Sequence, residues 1–127
     1  MQAQIKAPRP RKLEISIGGY PDGHFNLIYR DKTLFYQAAG WDNDLVEIEQ
    51  PTEEQWQTFL SELNRLKVWN WKEDYQPEFV ICDGTQWSLW ITWGRQKVVS
   101  VGDNAYPKGF QAFLKAMRAL IGGREFY

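Results

Sequence analysis

The sequence predicts an α+β domain in which an antiparallel sheet carries two helices on one of its faces. Three observations predict this class. Apolar and polar residues alternate in several short segments, which is the period of half-buried strands. Two longer segments place apolar residues every three or four positions, which is the period of amphipathic helices. Short turns join neighbouring strands, and such connections favour antiparallel pairing.

The strand-forming segments fall into two groups. The first group starts at Lys12, where Leu13, Ile15 and Ile17 alternate with polar residues up to a Gly-Gly pair. In the second group, Gly94-Arg95 is expected to form a tight hairpin turn. Together the two groups predict strands at 12–17, 24–30, 33–39, 45–49, 86–93 and 96–101.

The first helix is predicted over 52–67. Thr52 and Gln55 fit a capping box, with Pro51 just before it and acidic residues in the first turn. The apolar stripe of this helix consists of Trp56, Phe59, Leu60, Leu63 and Leu66.

The second helix is predicted over 107–121. Pro107 suits the first turn of a helix, and the side chain of Asn104 is expected to bond the free amides there. Gly122-Gly123 is expected to end the helix as a C-cap. The apolar stripe consists of Phe110, Phe113, Leu114, Met117, Leu120 and Ile121.

The two halves of the chain resemble each other. From Trp56 onward the helical stripes align without a gap, and Asp-Gly turns at 22–23 and 83–84 each precede a strand. We therefore expect two pseudo-repeated strand-hairpin-helix units, about 12–67 and 68–123, each too small to bury its own apolar face. Pairing the units closes one core with approximate twofold symmetry. The alternative is that any two amphipathic helices look alike.

Length and composition predict one domain with one core. The chain has 127 residues, of which 43% are hydrophobic and 24% are charged. Fifteen bases against 16 acids leave no overall field that attracts nucleic acid or an anionic membrane. The single cysteine excludes a disulfide framework, and no apolar run is long enough for a membrane span or a signal sequence. A cytoplasmic location is therefore expected.

The N-terminal residues differ from the rest of the chain. Pro8 and Pro10 interrupt a run of basic residues that begins at Lys6. Proline disfavours helix and removes backbone donors, so residues 1–11 are expected to form a flexible, extended basic arm. Residues 12–127 are then the single α+β domain.

Groups suited to catalysis or metal binding are few. His24 and Cys82 are the only histidine and cysteine, and a nucleophilic pair would need them to meet beside a third, orienting group. Two such ligands are too few for a closed zinc site, and the acidic residues of 42–54 lack the EF-hand spacing for calcium. We therefore expect no catalytic residue, no cofactor and no metal, and an enzymatic function is disfavoured.

The aromatic content is high, with 7 Trp, 6 Tyr and 7 Phe. Part of this ring area fills the core, and part is expected on a surface for a partner. Strand alternation places Trp90 on the face opposite Trp87, so Trp90 faces solvent or a partner, together with Ile28 and Phe35 from the first unit.

Three other aromatic residues complete the candidate partner-binding set. Tyr106 precedes Pro107, which forces it toward an extended conformation and points its ring away from the second helix. Trp69 and Trp71 are expected to share one side of an extended segment and to cover the open end of the core.

Several motifs together carry a resemblance to a known family. They are Trp69-x-Trp71, the string Asp83-Gly84-x-x-Trp87-x-Leu89, and Asn104-Ala105-Tyr106-Pro107 followed by Phe110. Over about residues 12–126 the chain resembles a family of small uncharacterised bacterial proteins. The resemblance implies a compact bacterial domain, and it implies no activity, cofactor or site residue.

Aromatic excess beside a poor catalytic inventory favours a protein-interaction module. Such a module would act as an accessory subunit or inhibitor in a bacterial or phage-related system, with a protein partner and no membrane association. The alternative is a nucleic-acid-binding protein that uses the basic arm and the exposed sheet aromatics as a stacking platform. The sequence leaves the oligomeric state open.

Overall fold

A computed structural model of the protein describes residues 7–40, 42–78 and 84–127. These residues form a seven-stranded sheet and two α-helices, which confirms the α+β class. The strands are β1 (Lys12–Gly19), β2 (Gly23–Arg30), β3 (Thr33–Gln37), β4 (Val46–Ile48), β5 (Asp74–Tyr75), β6 (Gln86–Trp93) and β7 (Gln96–Asp103). The helices are α1 (Glu53–Arg65) and α2 (Phe110–Leu120).

The strand order in the sheet is β4-β3-β2-β1-β6-β7-β5. Strand β1 lies near the centre, where it pairs antiparallel with β2 on one side and with β6 on the other. The expectation of a purely antiparallel sheet is wrong at one edge, because β5 runs parallel to β7. The Ser100 hydroxyl donates to the Lys72 carbonyl at 2.5 Å, and the Val101 amide donates to the Glu73 carbonyl at 2.9 Å. These two hydrogen bonds hold residues 72–75 against β7, although no hairpin turn connects the two segments.

Two-residue turns set the register of the hairpins. Asp31 and Lys32 both adopt positive φ, 52° and 62°, as a type I′ turn requires, and Arg30 pairs with Thr33. In the second hairpin Gly94 has φ 58°, and Trp93 pairs with Gln96 across the turn. The primed turns match the right-handed twist of the flanking strands, so the register follows from the turn chemistry.

The two helix starts differ from each other. At α1 the predicted capping box is present: the Thr52 hydroxyl accepts from the Gln55 amide at 3.1 Å, and the Gln55 side chain accepts from the Thr52 amide at 2.8 Å. The prediction for the second helix is wrong at its start. That helix begins at Phe110 because Gly109 adopts φ 86°, and the Oδ1 of Asn104 instead accepts from the Thr85 amide at 2.8 Å.

The segment after α1 also departs from prediction. Lys67 adopts φ 57° and is followed by a single 3₁₀ turn over Val68–Asn70 instead of an extended segment. Trp69 and Trp71 therefore do not share one side of a strand.

The end of α2 agrees with the prediction. The Gly123 amide donates to the Arg118 carbonyl at 2.8 Å, as the predicted glycine C-cap requires.

The core is built largely from rings. Trp56 of α1 is fully buried and packs on Tyr29 of β2 and Trp93 of β6, with ring centroids 5.0 and 5.8 Å apart. Phe110 of α2 packs on Trp87 of β6 at 4.8 Å. The sheet residues in these contacts all lie on the buried side of the strand alternation. We call this side the inner face and the opposite side the outer face.

Part of the predicted arm contacts the rest of the chain. The Ala7 carbonyl accepts from the buried Trp93 indole at 2.9 Å, and the Arg11 amide donates to the Thr92 carbonyl at 2.8 Å. Pro10 is buried. Residues 1–6 lie outside the described ranges, and the flexibility of the arm stays a prediction. Within the described ranges, neither helix has the length and apolar character needed to cross a membrane.

Candidate interaction surface

The outer face carries a continuous row of side chains across six strands. The pairing register places these residues side by side in the order Glu47, Phe35, Ile28, Glu14, Trp90 and Val99, which we call the aromatic row. Neither Ile28 nor Phe35 packs against the core, and both are half-buried. The row thus brings together three residues that the sequence placed in the candidate partner set.

Trp90 is the exposed aromatic of this row, and it lies on β6, next to the β7 end of the row. It is 39% exposed, and its neighbours Val99 and Val101 on β7 are each 41% exposed. By contrast Trp87, three residues earlier on the inner face, is 4% exposed. Exposed large apolar side chains that lie together on a strand pair form the kind of patch that marks an interaction site.

Cations flank the Trp90 ring on both neighbouring strands. The Lys12 ammonium on β1 lies 3.5 Å from the ring centroid, and the Lys97 ammonium on β7 lies 5.9 Å from it. Lys12 is also 3.4 Å from a Glu14 carboxylate oxygen. Cation–π contacts of this kind orient the ring and keep positive charge at its edge.

The same cations belong to a second row next to the aromatic row. Thr92 of β6 pairs with Lys12 on one side and with Lys97 on the other, and Arg30 of β2 is the next outward-facing residue after Ile28. We call Arg30, Lys12 and Lys97 the cationic row. The exposed ring of Trp90 beside this row of cations suits a partner that presents an apolar group next to carboxylates.

The other candidate residues lie elsewhere. Tyr106 is 45% exposed, but its ring packs on Phe110 at 5.1 Å, so it remains against α2. The Trp71 ring lies 5.3 Å from Phe113 in the core region. The Trp69 indole donates to the Asn64 side chain of α1 at 2.8 Å. These three residues do not join Trp90 in one surface.

A groove of about 510 Å³ runs between the outward sides of the two helices. Small and apolar residues such as Ala112, Ala116 and Leu120 line it, and Glu62 and Arg65 stand at its wall. The Arg65 guanidinium donates to both oxygens of the Glu62 carboxylate, at 2.9 and 2.7 Å. This hydrogen bonding holds the pKa of Glu62 below its usual range. The charges at the wall therefore satisfy each other.

The sequence offered His24 and Cys82 as its only histidine and cysteine. His24 is half-buried on the outer face of β2, opposite Gly18, while Cys82 lies outside the described residues. No group of three His, Cys, Asp or Glu residues suited to a metal ion occurs among residues 7–40, 42–78 and 84–127. The groups that lie together on the outer face are rings, aliphatic side chains, cations and the carboxylates of Glu14 and Glu47.

Sequence reasoning missed the neighbours of Trp90. Lys12, Lys97 and Val99 carry no motif of their own, and each is an ordinary strand residue. The signal that locates two of them is the hairpin turn at Gly94, which aligns β6 with β7 and thereby sets Val99 opposite Trp90. Lys12 required the long-range pairing of β1 with β6, which no local pattern specifies.

No family model matches the chain, and neither the curated proteins nor the solved structures include a match. The outer face therefore has to be interpreted from its own chemistry.

Proposed function

We propose that the protein is a non-enzymatic protein-interaction module whose docking surface is the aromatic row together with the cationic row. The observation that carries this proposal is the exposure of Trp90, at 39%, between two cations and beside two exposed valines. Tryptophan at the centre of an apolar patch with a polar rim is the composition of an interface hot spot. The partner is a protein surface that presents an apolar side chain to Trp90 and carboxylates to the cations.

The arrangement of the helices supports this assignment. The contacts of Trp56 with Tyr29 and of Phe110 with Trp87 both fall on the inner face. We infer that both helices cover that face, as the two-unit repeat with one helix per unit requires, and that the outer face is left for a partner. The suggested role as an accessory subunit or inhibitor in a bacterial or phage-related system rests on the high aromatic content beside few groups suited to catalysis.

A protein partner fits the outer face better than nucleic acid does. Glu14 and Glu47 lie within the aromatic row and would repel a continuous phosphate backbone laid across it, whereas a protein can set a few carboxylates against the cationic row alone. The Lys12 ammonium at 3.5 Å occupies a face of the Trp90 ring on which a base would stack. Nucleic-acid binding through the basic arm and the cationic row is the second candidate function, because Lys12, Arg30 and Lys97 would attract phosphates as well as carboxylates.

A selection from a random peptide display library tests the proposal. We expect the enriched peptides to combine an apolar residue with neighbouring carboxylates, and to lose at least tenfold in affinity for Trp90→Ala. Tyr106→Ala is the matched control, since Tyr106 is similarly exposed at 45% but lies outside the row. Fluorescence anisotropy with a labelled oligothymidylate, on the same variants, measures the nucleic-acid alternative.

The outcomes separate the two candidates. Peptides that bind Trp90→Ala as tightly as the unmodified protein would refute the docking surface. Oligothymidylate binding that weakens steeply with salt and requires both Trp90 and residues 1–11 would favour the nucleic-acid function instead.

A further inference from the structure

We propose that the open edge of β4 binds an extended, basic peptide segment, which adds a further strand to the sheet. Strand β4 is the last strand at its end of the sheet, and β3 pairs with one side of it. We call the side that faces away from β3 the β4 edge. The site needs neither Trp90 nor the cationic row, so this proposal goes beyond the proposed function.

The backbone of the β4 edge is open to a partner. Half of the amides and carbonyls of an end strand point away from its neighbour and can pair with another chain. Within the described ranges, no strand lies on that side of β4, and no backbone hydrogen bond outside its ladder with β3 involves Val46, Glu47 or Ile48. An added strand would therefore form main-chain hydrogen bonds without displacing an existing partner.

The side chains of β4 leave an apolar position uncovered beside this edge. Val46 and Ile48 lie on the inner face, because they pair with the inward-facing residues of β3. Ile48 packs against the core, whereas Val46 is 49% exposed. A strand added at the β4 edge would set an apolar side chain of its own next to Val46, since neighbouring residues on one face of a sheet contact each other.

Charge determines which strand fits the β4 edge. Glu47 lies on the outer face of β4, Asp44 and Glu49 flank the strand, and all three are exposed. Among residues 7–40, 42–78 and 84–127, none of these three carboxylates lies within ion-pair distance of a base. A lysine or arginine placed opposite Glu47 would therefore gain a partner, and an acidic residue there would be repelled.

The same charges disfavour a second copy of β4 as the added strand. Two β4 strands that pair antiparallel about Glu47, or parallel in register, set acid opposite acid, which destabilises the pair. Charged edge strands protect a sheet from pairing with itself in this way. The complementary segment alternates instead, with apolar residues opposite Val46 and Ile48 and a basic residue opposite Glu47.

Amide NMR spectra of the isotope-labelled full chain, titrated with the peptide acetyl-Lys-Val-Lys-Val-Lys-Val-Lys-amide, test the proposal. We expect saturable shifts at residues 45–49 and on β3, and none on β5 at the opposite edge of the sheet. The matched control peptide is acetyl-Lys-Lys-Val-Val-Val-Lys-Lys-amide. It has the same composition and charge but cannot keep its valines on one face of a strand, so it should bind about fivefold more weakly or worse.

Methylation of the peptide amides separates strand pairing from charge attraction. One peptide carries N-methyl groups on its valines, and a second carries them on its lysines. Successive amides of a strand point to opposite sides, so only one of these two peptides loses the hydrogen-bond donors that face β4. We expect that peptide to lose binding and the other one to retain it.

Variants of the chain test the two side-chain contacts. Glu47→Lys and Val46→Lys should each raise the dissociation constant of the alternating peptide about tenfold or more, because each sets a cation beside a basic strand. Glu73→Lys is the matched control, since Glu73 is also exposed but precedes β5 at the opposite edge. It changes the net charge equally and should leave the dissociation constant unchanged.

The outcomes are distinct from those for the outer face. Saturable shifts at the β4 edge, with unequal effects of the two methylations and losses in both β4 variants, support the proposal. The absence of saturable shifts overturns it, as do equal effects of the two methylations or an effect of Glu73→Lys as large as that of Glu47→Lys. Val46 lies on the inner face, so Val46→Lys should leave Trp90-dependent peptide binding intact. Failure at the β4 edge would thus leave the proposed function standing, and loss of the Trp90 result alone would refute only that function.

Discussion

Trp87 and Trp90 are three residues apart on β6 and lie on opposite faces of the sheet, so replacing each by alanine separates core from surface. Trp87 is 4% exposed, its ring contacts Phe110 at 4.8 Å, and its indole donates to the Ala105 carbonyl at 2.9 Å. Trp90 is 39% exposed, and its side chain makes cation–π contacts. We expect Trp87→Ala to be much the more destabilising change.

The magnitudes follow from the covered ring area. Of roughly 200 Å² for a tryptophan side chain, nearly all is covered at Trp87 and about three fifths at Trp90, and about a third of that area is already covered in the unfolded chain. At about 25 cal/mol per Å² the loss is about 3 kcal/mol for Trp87 and about 2 kcal/mol for Trp90. The cavity and the lost hydrogen bond raise the cost of Trp87→Ala to about 4–5 kcal/mol.

Urea denaturation, followed by far-ultraviolet circular dichroism at low protein concentration, measures both free energies of unfolding. If Trp87→Ala fails to fold, Trp87→Phe takes its place in this comparison, since phenylalanine retains part of the ring packing on Phe110. A Trp90→Ala protein destabilised as much as Trp87→Ala would show that Trp90 is a second layer of core, and the docking surface would lose its anchor.

Other predictions concern the core, the arm and alkaline pH. Phe113→Ala should cost ~3–5 kcal/mol in a urea titration, because its buried ring joins α2 to α1; a loss below ~1 kcal/mol would contradict that role. Deleting residues 1–11 should preserve a cooperative thermal melt, with a loss of ~1–2 kcal/mol because one buried indole loses its acceptor; a non-cooperative melt would make this segment part of the domain. Burial raises the pKa of Tyr29, so the neutral phenol is favoured in the folded state, and the stability present below pH ~10 declines as pH rises through the folded pKa. Tyr29→Phe should reduce this alkaline loss and the exposed control Tyr20→Phe should not; equal pH profiles for the two variants would refute the assignment.

The sequence was sufficient to locate turns and helix ends that are set by a few adjacent residues. The capping box at Thr52 and the turn at Gly94 are each set by a few adjacent residues, so the sequence alone locates them. The start of α2 depends on Gly109 adopting φ 86°, which proline and asparagine signals nearby gave no reason to expect. The parallel strand β5 is only two residues long, and its position is set by long-range bonds to β7.

In the candidate surface, too, some features follow from the sequence alone and others depend on the order of the strands. Alternation along one strand was sufficient to place Trp90 on the face opposite Trp87. The grouping with Ile28 and Phe35 required the order of the strands, and the contact with Lys12 required the pairing of β1 with β6. Tryptophan content alone does not distinguish Trp71, which lies among core rings, from Trp90.

The contact between Trp87 and Gly102 limits how this sequence can change. A Cβ atom at position 102 would lie 2.1 Å from the Trp87 indole nitrogen and 2.6 Å from the Ala105 carbonyl oxygen that accepts its hydrogen bond. A side chain at position 102 therefore requires both a smaller residue at position 87 and a shift of the Ala105 carbonyl. Homologous sequences that replace this glycine should also carry a smaller residue in place of Trp87, and a substitution at Gly102 should be less harmful once Trp87 has been replaced.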